Sequence, residues 1–187
     1  MENILALIRR LKFKSIQARW FYAISFQAFL YGSLSVMPDV VAFLTKNIDL
    51  ELSSIIFFGS IALAVISLSI KIFKLKLPYY FGLVSILVIY GSSINQLSIV
   101  VERIHFFQYG ILTLLVLWAI DESMEDAHCY LLTLFYIFLS GCLDEFIQFF
   151  LPNRVFDIRD IVLNAFSGFI ALCLIGLFSH AYHAEKK

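Results

Sequence analysis

Three groups of polar side chains interrupt the apolar sequence in the second half of this 187-residue chain. In order along the chain they are Glu102-Arg103-x-His105 with Tyr109, then Asp144-Glu145-x-x-Gln148, then Arg154 with Arg159, Asp160 and Asn164. A carboxylate beside a histidine can transfer protons in general acid–base catalysis, and an arginine binds phosphate or carboxylate groups through paired hydrogen bonds. These residue types therefore predict either acid–base chemistry or the binding of an anionic ligand.

Helical spacing places the members of the first two groups on helix faces. Side chains three or four residues apart are neighbours on a helix surface, and this spacing relates His105 to both Glu102 and Tyr109. The same rule relates Asp144 to Gln148. The sequence thus predicts two polar helix faces, followed by a polar link that opens a third helix.

Composition sets the class of protein that must carry these groups. The chain is 61% hydrophobic and 15% charged, whereas soluble proteins average about 45–50% apolar residues. This composition predicts an integral membrane protein, and a net charge of zero gives no basis for nucleic-acid binding. The three cysteines form no CxxC pair and the outer histidine has no second histidine nearby, so we predict no disulfide framework, no metal site and no cofactor.

Six charge-free apolar stretches approach the length that a membrane span needs, about 20 residues. They are Trp20–Pro38, Leu52–Ile70, Leu77–Val101, Ile104–Ile120, Ala127–Leu143 and Ile161–Ala184. The fifth is expected to continue past its acids to Leu151, because Pro152 then ends it. The predicted fold is an all-α polytopic membrane bundle of about six transmembrane helices.

Lysine and arginine are unevenly distributed between the two ends of these predicted spans. With the N-terminus inside, ten of them fall on the cytoplasmic side and only Lys46, Arg103, Arg154 and Arg159 fall outside. The positive-inside rule therefore predicts that both termini are cytoplasmic and that the protein spans the cell (plasma or inner) membrane several times. Residues 1–19 are predicted to form a basic interfacial segment, and all three polar groups fall at the outer end.

The outer polar cluster contains more acids than bases. Its members are Glu102, Asp144, Glu145, Asp157 and Asp160 against Arg103, Arg154 and Arg159. Five acids facing three arginines predict that the cluster holds a proton or an additional cation. Ionisable groups inside membranes usually mark functional sites. The alternative is a salt-bridged knot that fixes the register of the last three helices.

The ordered set of motifs resembles the VanZ-like family. The residues that carry the resemblance are Glu102-Arg103-x-His105-Phe106 with Tyr109-Gly110, Asp144-Glu145-x-x-Gln148, Pro152-x-Arg154, and Asp160-x-x-x-Asn164-x-x-x-Gly168. The acidic-basic-His motif is one residue shorter here than the family pattern. The resemblance covers about residues 79–178 and implies a VanZ-like four-helix core over residues 79–180. Residues 20–78 then form two additional transmembrane helices.

Several functions are compatible with these motifs. The family takes its name from a teicoplanin-resistance protein, so the resemblance implies an outer pocket that binds an anionic or lipid-linked cell-envelope component, with an effect on glycopeptide susceptibility. Arg154 and Arg159 would hold the anionic group. The partners expected on this basis are membrane lipids or lipid-linked envelope intermediates.

Three alternatives remain open. A membrane enzyme could act on a lipid head group with Glu145 or Asp144 as general acid or base and His105 as partner, although no nucleophile motif accompanies them. A scaffold for partner membrane proteins would use the additional N-terminal helices. An ion-coupled transporter is disfavoured, because the acids gather at one end and form no relay across the bilayer.

Overall fold

A computed structural model describes residues 15–46, 49–70, 75–97, 100–120, 127–152 and 154–184. Within these ranges the chain forms seven α-helices and no strand, which confirms the predicted all-helical class. The helices are α1 Ile16–Ser33, α2 Met37–Thr45, α3 Leu50–Leu68, α4 Leu77–Gln96, α5 Val100–Ile120, α6 Ala127–Phe149 and α7 Ile158–Ala184.

Part of the orientation prediction lies outside the described residues. This applies to positions 1–14 of the interfacial segment and to eight of the basic residues counted above: Arg9, Arg10, Lys12, Lys14, Lys71, Lys74, Lys186 and Lys187. The cytoplasmic location of the termini therefore stays a prediction.

Four of the helices are long and apolar enough to cross a membrane. These spans are Leu77–Gln96, Glu102–Ile120, His128–Phe149 and Ile158–Tyr182. The α1–α2 pair provides a fifth if its two helices form one bent span, and α3 is a shorter apolar helix. The predicted number of about six spans is consistent with this set.

The first predicted span is bent rather than straight. The axes of α1 and α2 differ by 64°, and Val36 N donates to Ser33 O at 3.1 Å in the tight turn between them. Pro38 is the second residue of α2. Proline has no N–H to donate, and its ring clashes with the carbonyl four residues earlier, so it is tolerated in a first turn but interrupts a continuing helix. The predicted span Trp20–Pro38 therefore belongs to two helices, because α1 ends at Ser33 and α2 begins at Met37.

The core surrounds α5, which packs against α1, α6 and α7. Tyr109, Leu112 and Val116 of α5 are fully buried against Ala23 of α1 and Ile137 of α6. Many large apolar side chains on the outer surface are exposed, as expected for a bundle whose surroundings are lipid. Because α5 is central, it contacts α1, α6 and α7 through different faces.

Two polar contacts identify the end of the bundle that is opposite the acidic residues. Tyr79 Oη lies 3.0 Å from His180 Nδ1, and Arg19 Nη1 donates to Trp118 O at 3.1 Å. These contacts join the start of α4 to the end of α7, and the start of α1 to the end of α5. We call the other end, where α5 and α7 begin and α6 finishes, the site end.

Candidate functional site

The three polar groups meet around a cavity of about 500 Å³ at the site end, which we call the polar cavity. Its polar lining comes from α5, the end of α6, the link after it and the start of α7: Glu102, His105, Gln148, Arg154, Asp157, Asp160 and Asn164. Asp144, Glu145 and Gln148 share one helical face because of their i, i+3, i+4 spacing, and Pro152 falls just after the end of that helix, where the chain turns. The segment between α6 and α7 therefore brings Arg154 into the lining of the cavity.

A histidine–aspartate pair lies at the inner side of this cavity. His105 Nε2 is 2.5 Å from Asp144 Oδ2, and their side chains are 16% and 0% exposed. Gln148 Nε2 lies 3.5 Å from the same aspartate oxygen, and the His105 ring stands 5.1 Å from the Tyr109 ring. Asp144 therefore fixes the orientation of a histidine that borders the cavity.

Glu145 connects the interhelical link to α6. Its Oε1 accepts from Gln148 Nε2 at 3.2 Å, and its Oε2 accepts from the backbone N–H of Asp157 at 2.8 Å. The side chain is fully buried. Because both carboxylate oxygens are engaged within the protein, the position of Glu145 suits a residue that supports the link.

A second ion pair closes the outer side of the cavity. Arg159 Nη2 donates to Glu102 Oε1 at 2.8 Å, and the two side chains are 60% and 14% exposed, respectively. The backbone N–H of Arg159 donates to Asp157 Oδ1 at 2.8 Å at the start of α7. Arg159 therefore reaches the site by holding Glu102, and it is not among the residues that line the cavity.

Five buried polar atoms at this site have no hydrogen-bond partner among the described residues. They are Glu102 Oε2, Asp144 Oδ1, Arg154 Nε, Asp160 Oδ1 and Asn164 Nδ2. Buried polar groups are nearly always hydrogen-bonded, because leaving one unpaired costs about 1–3 kcal/mol. All except Asp144 belong to residues that line the polar cavity. The cavity lining therefore offers two oxygen acceptors and two nitrogen donors to a molecule that enters it.

Two of the predicted site residues lie elsewhere. Arg103 is directed to the opposite face of α5, where its Nε donates to Leu97 O and its Nη1 to Ser54 Oγ, each at 2.8 Å. Tyr109 is buried beneath the cavity and donates to Ser140 O at 3.2 Å. Neither residue lines the cavity.

The sequence interpretation missed a polar layer that lies beneath the site, between α1 and α6. Gln27 Nε2 donates to Tyr31 Oη at 2.7 Å and to Ser140 Oγ at 3.1 Å, and Tyr136 Oη donates to Gln27 Oε1. Tyr31 Oη donates to Ser140 O at 2.9 Å. The four-residue spacings of Gln27 with Tyr31 and of Tyr136 with Ser140 were the available signal.

The wall that α2 contributes was missed as well. Pro38, Val41 and Ala42 line the polar cavity on one side.

Among the described residues, no group of three or more His, Cys, Asp or Glu side chains is placed to hold a metal ion. The polar side chains that line the cavity can bind a ligand by direct hydrogen bonds.

Comparisons with known proteins relate this arrangement to a family. The family described as VanZ/LLP1 matches residues 12–179, a range that includes α1–α3 as well as the motifs around the polar cavity. An uncharacterized protein of Schizosaccharomyces pombe is 37% identical over 82 residues, which cover 44% of this chain and 49% of the yeast protein. The chain thus spans about half the length of this curated relative. No solved structure matches.

Proposed function

Because the chain belongs to the VanZ/LLP1 family and folds as a helical membrane bundle, we propose that its polar cavity binds the head group of a lipid or lipid-linked cell-envelope component. The observation that carries this proposal is the set of five buried polar atoms that have no hydrogen-bond partner within the described ranges, four of which belong to residues that line the cavity. A salt-bridged knot would use such atoms internally. Here the His105–Asp144 pair and the Arg159–Glu102 pair each leave one carboxylate oxygen without a partner in the part of the chain that the structure describes.

The chemistry of the unpartnered atoms describes the head group. Arg154 Nε and Asn164 Nδ2 are donors, so they favour an anionic phosphate or carboxylate on the ligand. The acceptor oxygens of Asp160 and Glu102 in the cavity lining favour hydroxyl or amino groups nearby. A head group that combines an acidic group with several hydroxyl or amino donors satisfies both requirements.

The cavity rim supports a ligand that is attached to the membrane. Val155 and Phe156 line the cavity, yet they are 84% and 42% exposed. Apolar side chains exposed beside a polar cavity are suited to the interface between lipid and water. A head group anchored by hydrocarbon would therefore reach the cavity along the bilayer surface.

We expect Arg154→Ala to weaken ligand binding by about 10- to 100-fold, because a hydrogen bond to a charged group contributes about 1.5–3 kcal/mol. Native mass spectrometry of protein purified gently from its own membranes would measure the fraction that retains a head-group-bearing adduct. Lys76→Ala is the matched control, since it removes a positive charge at the opposite end of the bundle. Wild-type occupancy in a folded Arg154→Ala protein would contradict the proposal.

The same variant connects the site with the resistance activity for which the family is named. We propose that ligand binding alters how teicoplanin engages the cell surface. Expression of the wild type in a teicoplanin-susceptible bacterium should then raise the inhibitory concentration, and expression of Arg154→Ala at equal abundance should not. An equal increase with both proteins would separate the polar cavity from glycopeptide susceptibility.

The His105–Asp144 pair favours a second candidate, an enzyme that acts on a lipid head group. A buried carboxylate that orients a histidine at a cavity is the arrangement of a general base and its supporting residue. Under this reading His105→Gln lowers turnover of the head group by about 10²–10⁴-fold. Glu145→Gln tests whether the adjacent acid takes part, and undiminished turnover in both variants would exclude this candidate.

A further inference from the structure

The polar cavity, together with the side chains that contact its lining, carries more acids than bases. The acids of the lining are Glu102, Asp157 and Asp160, and those in contact with it are Asp144 and Glu145. The bases are His105 and Arg154 in the lining, with Arg159 paired to it. Even with His105 counted as a cation, five acids face three bases in the described part of the site. A ligand of net negative charge would add to this excess, so the charge of the site disfavours it.

Asp160 is an acid of the lining that has no hydrogen-bonded cation among the described residues. The bases that act on it electrostatically are Arg159 and His105, but they pair with other acids, at 2.8 and 2.5 Å. Glu102 and Asp157 repel it. Its Oδ1 is buried and accepts no hydrogen bond from any residue in the described ranges. A cationic donor in the cavity would satisfy both the charge and the hydrogen bond of Asp160.

Two donors for an anion belong to the same lining. Asn164 follows Asp160 by four residues on α7, so the two side chains share a helix face. Asn164 is only 2% exposed, and its Nδ2 is without a hydrogen-bond partner in the part of the chain that the structure describes. The same holds for the buried Nε of Arg154, in the segment between α6 and α7. The cavity thus presents sites for a positive and for a negative group of one ligand.

A primary ammonium group suits the acceptors of this cavity better than a hydroxyl or a quaternary amine does. Asp160 Oδ1 and Glu102 Oε2 each require a donor, and a primary ammonium has three N–H donors and a positive charge. A hydroxyl group supplies a hydrogen bond without the charge. A quaternary ammonium supplies the charge without a hydrogen bond. Charge and N–H donors together therefore distinguish among lipid head groups.

We propose that the polar cavity recognises an aminophospholipid, whose head group carries a primary ammonium and a phosphate, as in phosphatidylethanolamine. Asp160 and Glu102 accept hydrogen bonds from the ammonium, while Arg154 and Asn164 donate to the phosphate. Such a head group has no net charge, so its binding adds nothing to the acid excess of the site. The inference rests on the proposed function and narrows it from lipid head groups in general to one chemical class.

The first test uses the wild-type protein and three lipids that have the same acyl chains. Phosphatidylethanolamine has both the positive charge and the N–H donors, phosphatidylcholine keeps the charge but lacks the donors, and phosphatidylglycerol keeps hydroxyl donors but is anionic. The lipids compete in mixed micelles, and native mass spectrometry measures how much of each the protein retains. We expect phosphatidylethanolamine to be retained at least about tenfold more than either of the others.

The outcomes separate this inference from the proposed function. Retention of phosphatidylcholine or phosphatidylglycerol equal to that of phosphatidylethanolamine would overturn the inference. If Arg154→Ala still abolished that retention, the head-group site of the proposed function would stand. Absence of any lipid adduct, both here and on protein taken from its own membranes, would overturn the proposed function and this inference with it.

The second test removes one charge from the lining. Asp160→Asn keeps an acceptor oxygen, and we expect its preference for phosphatidylethanolamine over phosphatidylglycerol to fall at least about tenfold. Asp49→Asn is the matched control, because it removes a negative charge at the N-cap of α3, where asparagine caps equally well, and it does not line the cavity. An unchanged preference in folded Asp160→Asn, or an equal loss in the control, would overturn the role of Asp160. The wild-type comparison does not depend on the folding of either variant.

Discussion

Replacement of His105 by alanine should lower the free energy of unfolding by about 2–3 kcal/mol, because it leaves a buried carboxyl group without its main hydrogen-bond partner. Asp144 is fully buried and its Oδ2 lies 2.5 Å from His105 Nε2. Its other oxygen has no protein partner among the described residues, so the remaining hydrogen bond from Gln148 would be its main compensation.

A double-mutant cycle separates this pairing from simple loss of packing. Unfolding in mixed micelles is measured for His105→Ala, Asp144→Ala and the double variant, and the double variant should lose clearly less than the sum of the two single changes. Arg159→Ala is the comparison, since the Arg159 side chain is 60% exposed and an ion pair with an exposed partner contributes about 0–1 kcal/mol. Additive losses would show that His105 and Asp144 are not coupled.

Gly168→Ala should destabilise the protein by about 1 kcal/mol, because overpacking a filled core costs about 1–3 kcal/mol and the gain in helix propensity from Gly to Ala offsets only about 1 kcal/mol of this cost. A Cβ at Gly168 would lie 2.9 Å from Ile137 Cγ2 and 3.0 Å from Thr113 Oγ1. These contacts belong to α6 and α5, so the glycine stands where three helices meet. Neither neighbour can move freely, because both are fully buried.

Gly82→Ala provides the control for this prediction. Its added Cβ would lie even closer to a neighbour, 2.6 Å from Leu177 Cδ1, but that atom is the end of a flexible side chain. The gain in helix propensity from Gly to Ala, about 1 kcal/mol, should then offset the adjustment of Leu177. The two variants are compared by unfolding in the same micelles. A larger loss of unfolding free energy for Gly82→Ala than for Gly168→Ala would contradict the conclusion that Gly168 has no room for a Cβ.

The sequence allows the long helices to be predicted because their apolar stretches are continuous and their ends are marked. The predicted span Ala127–Leu143 with its continuation toward Leu151 corresponds to α6, and Ile161–Ala184 corresponds to α7. The first span was harder, because its apolar character continues through a turn. Only Pro38 marks the bend, and a proline near the end of an apolar stretch equally well marks the end of a span.

The position of the site could be predicted, but not the assignment of every charge to it. The order of the predicted spans places His105 and Asp144 at one end of the bundle, and the structure adds the contact between them. Arg103 was grouped with the acids because it falls at the same end of the predicted spans, although its side chain, next to Glu102 on the helix, points about 100° away from it. The wall from α2 could not be predicted, because the direction of a helix after a bend is set by tertiary packing.

The placement of α2 affects how a binding constant for this protein has to be expressed. This short helix forms one wall of the polar cavity through Pro38 and Val41, and it leaves the apolar side chains of Val40 and Phe43 exposed, so a lipid-attached ligand of the kind proposed above would approach the cavity from the bilayer. A ligand that arrives through that mouth partitions into the bilayer first, so its mole fraction in the lipid governs occupancy. Adding inert lipid or detergent at a constant amount of ligand should lower occupancy, whereas adding buffer should leave it unchanged. The apparent Kd in molar units will therefore change with the amount of lipid in the sample.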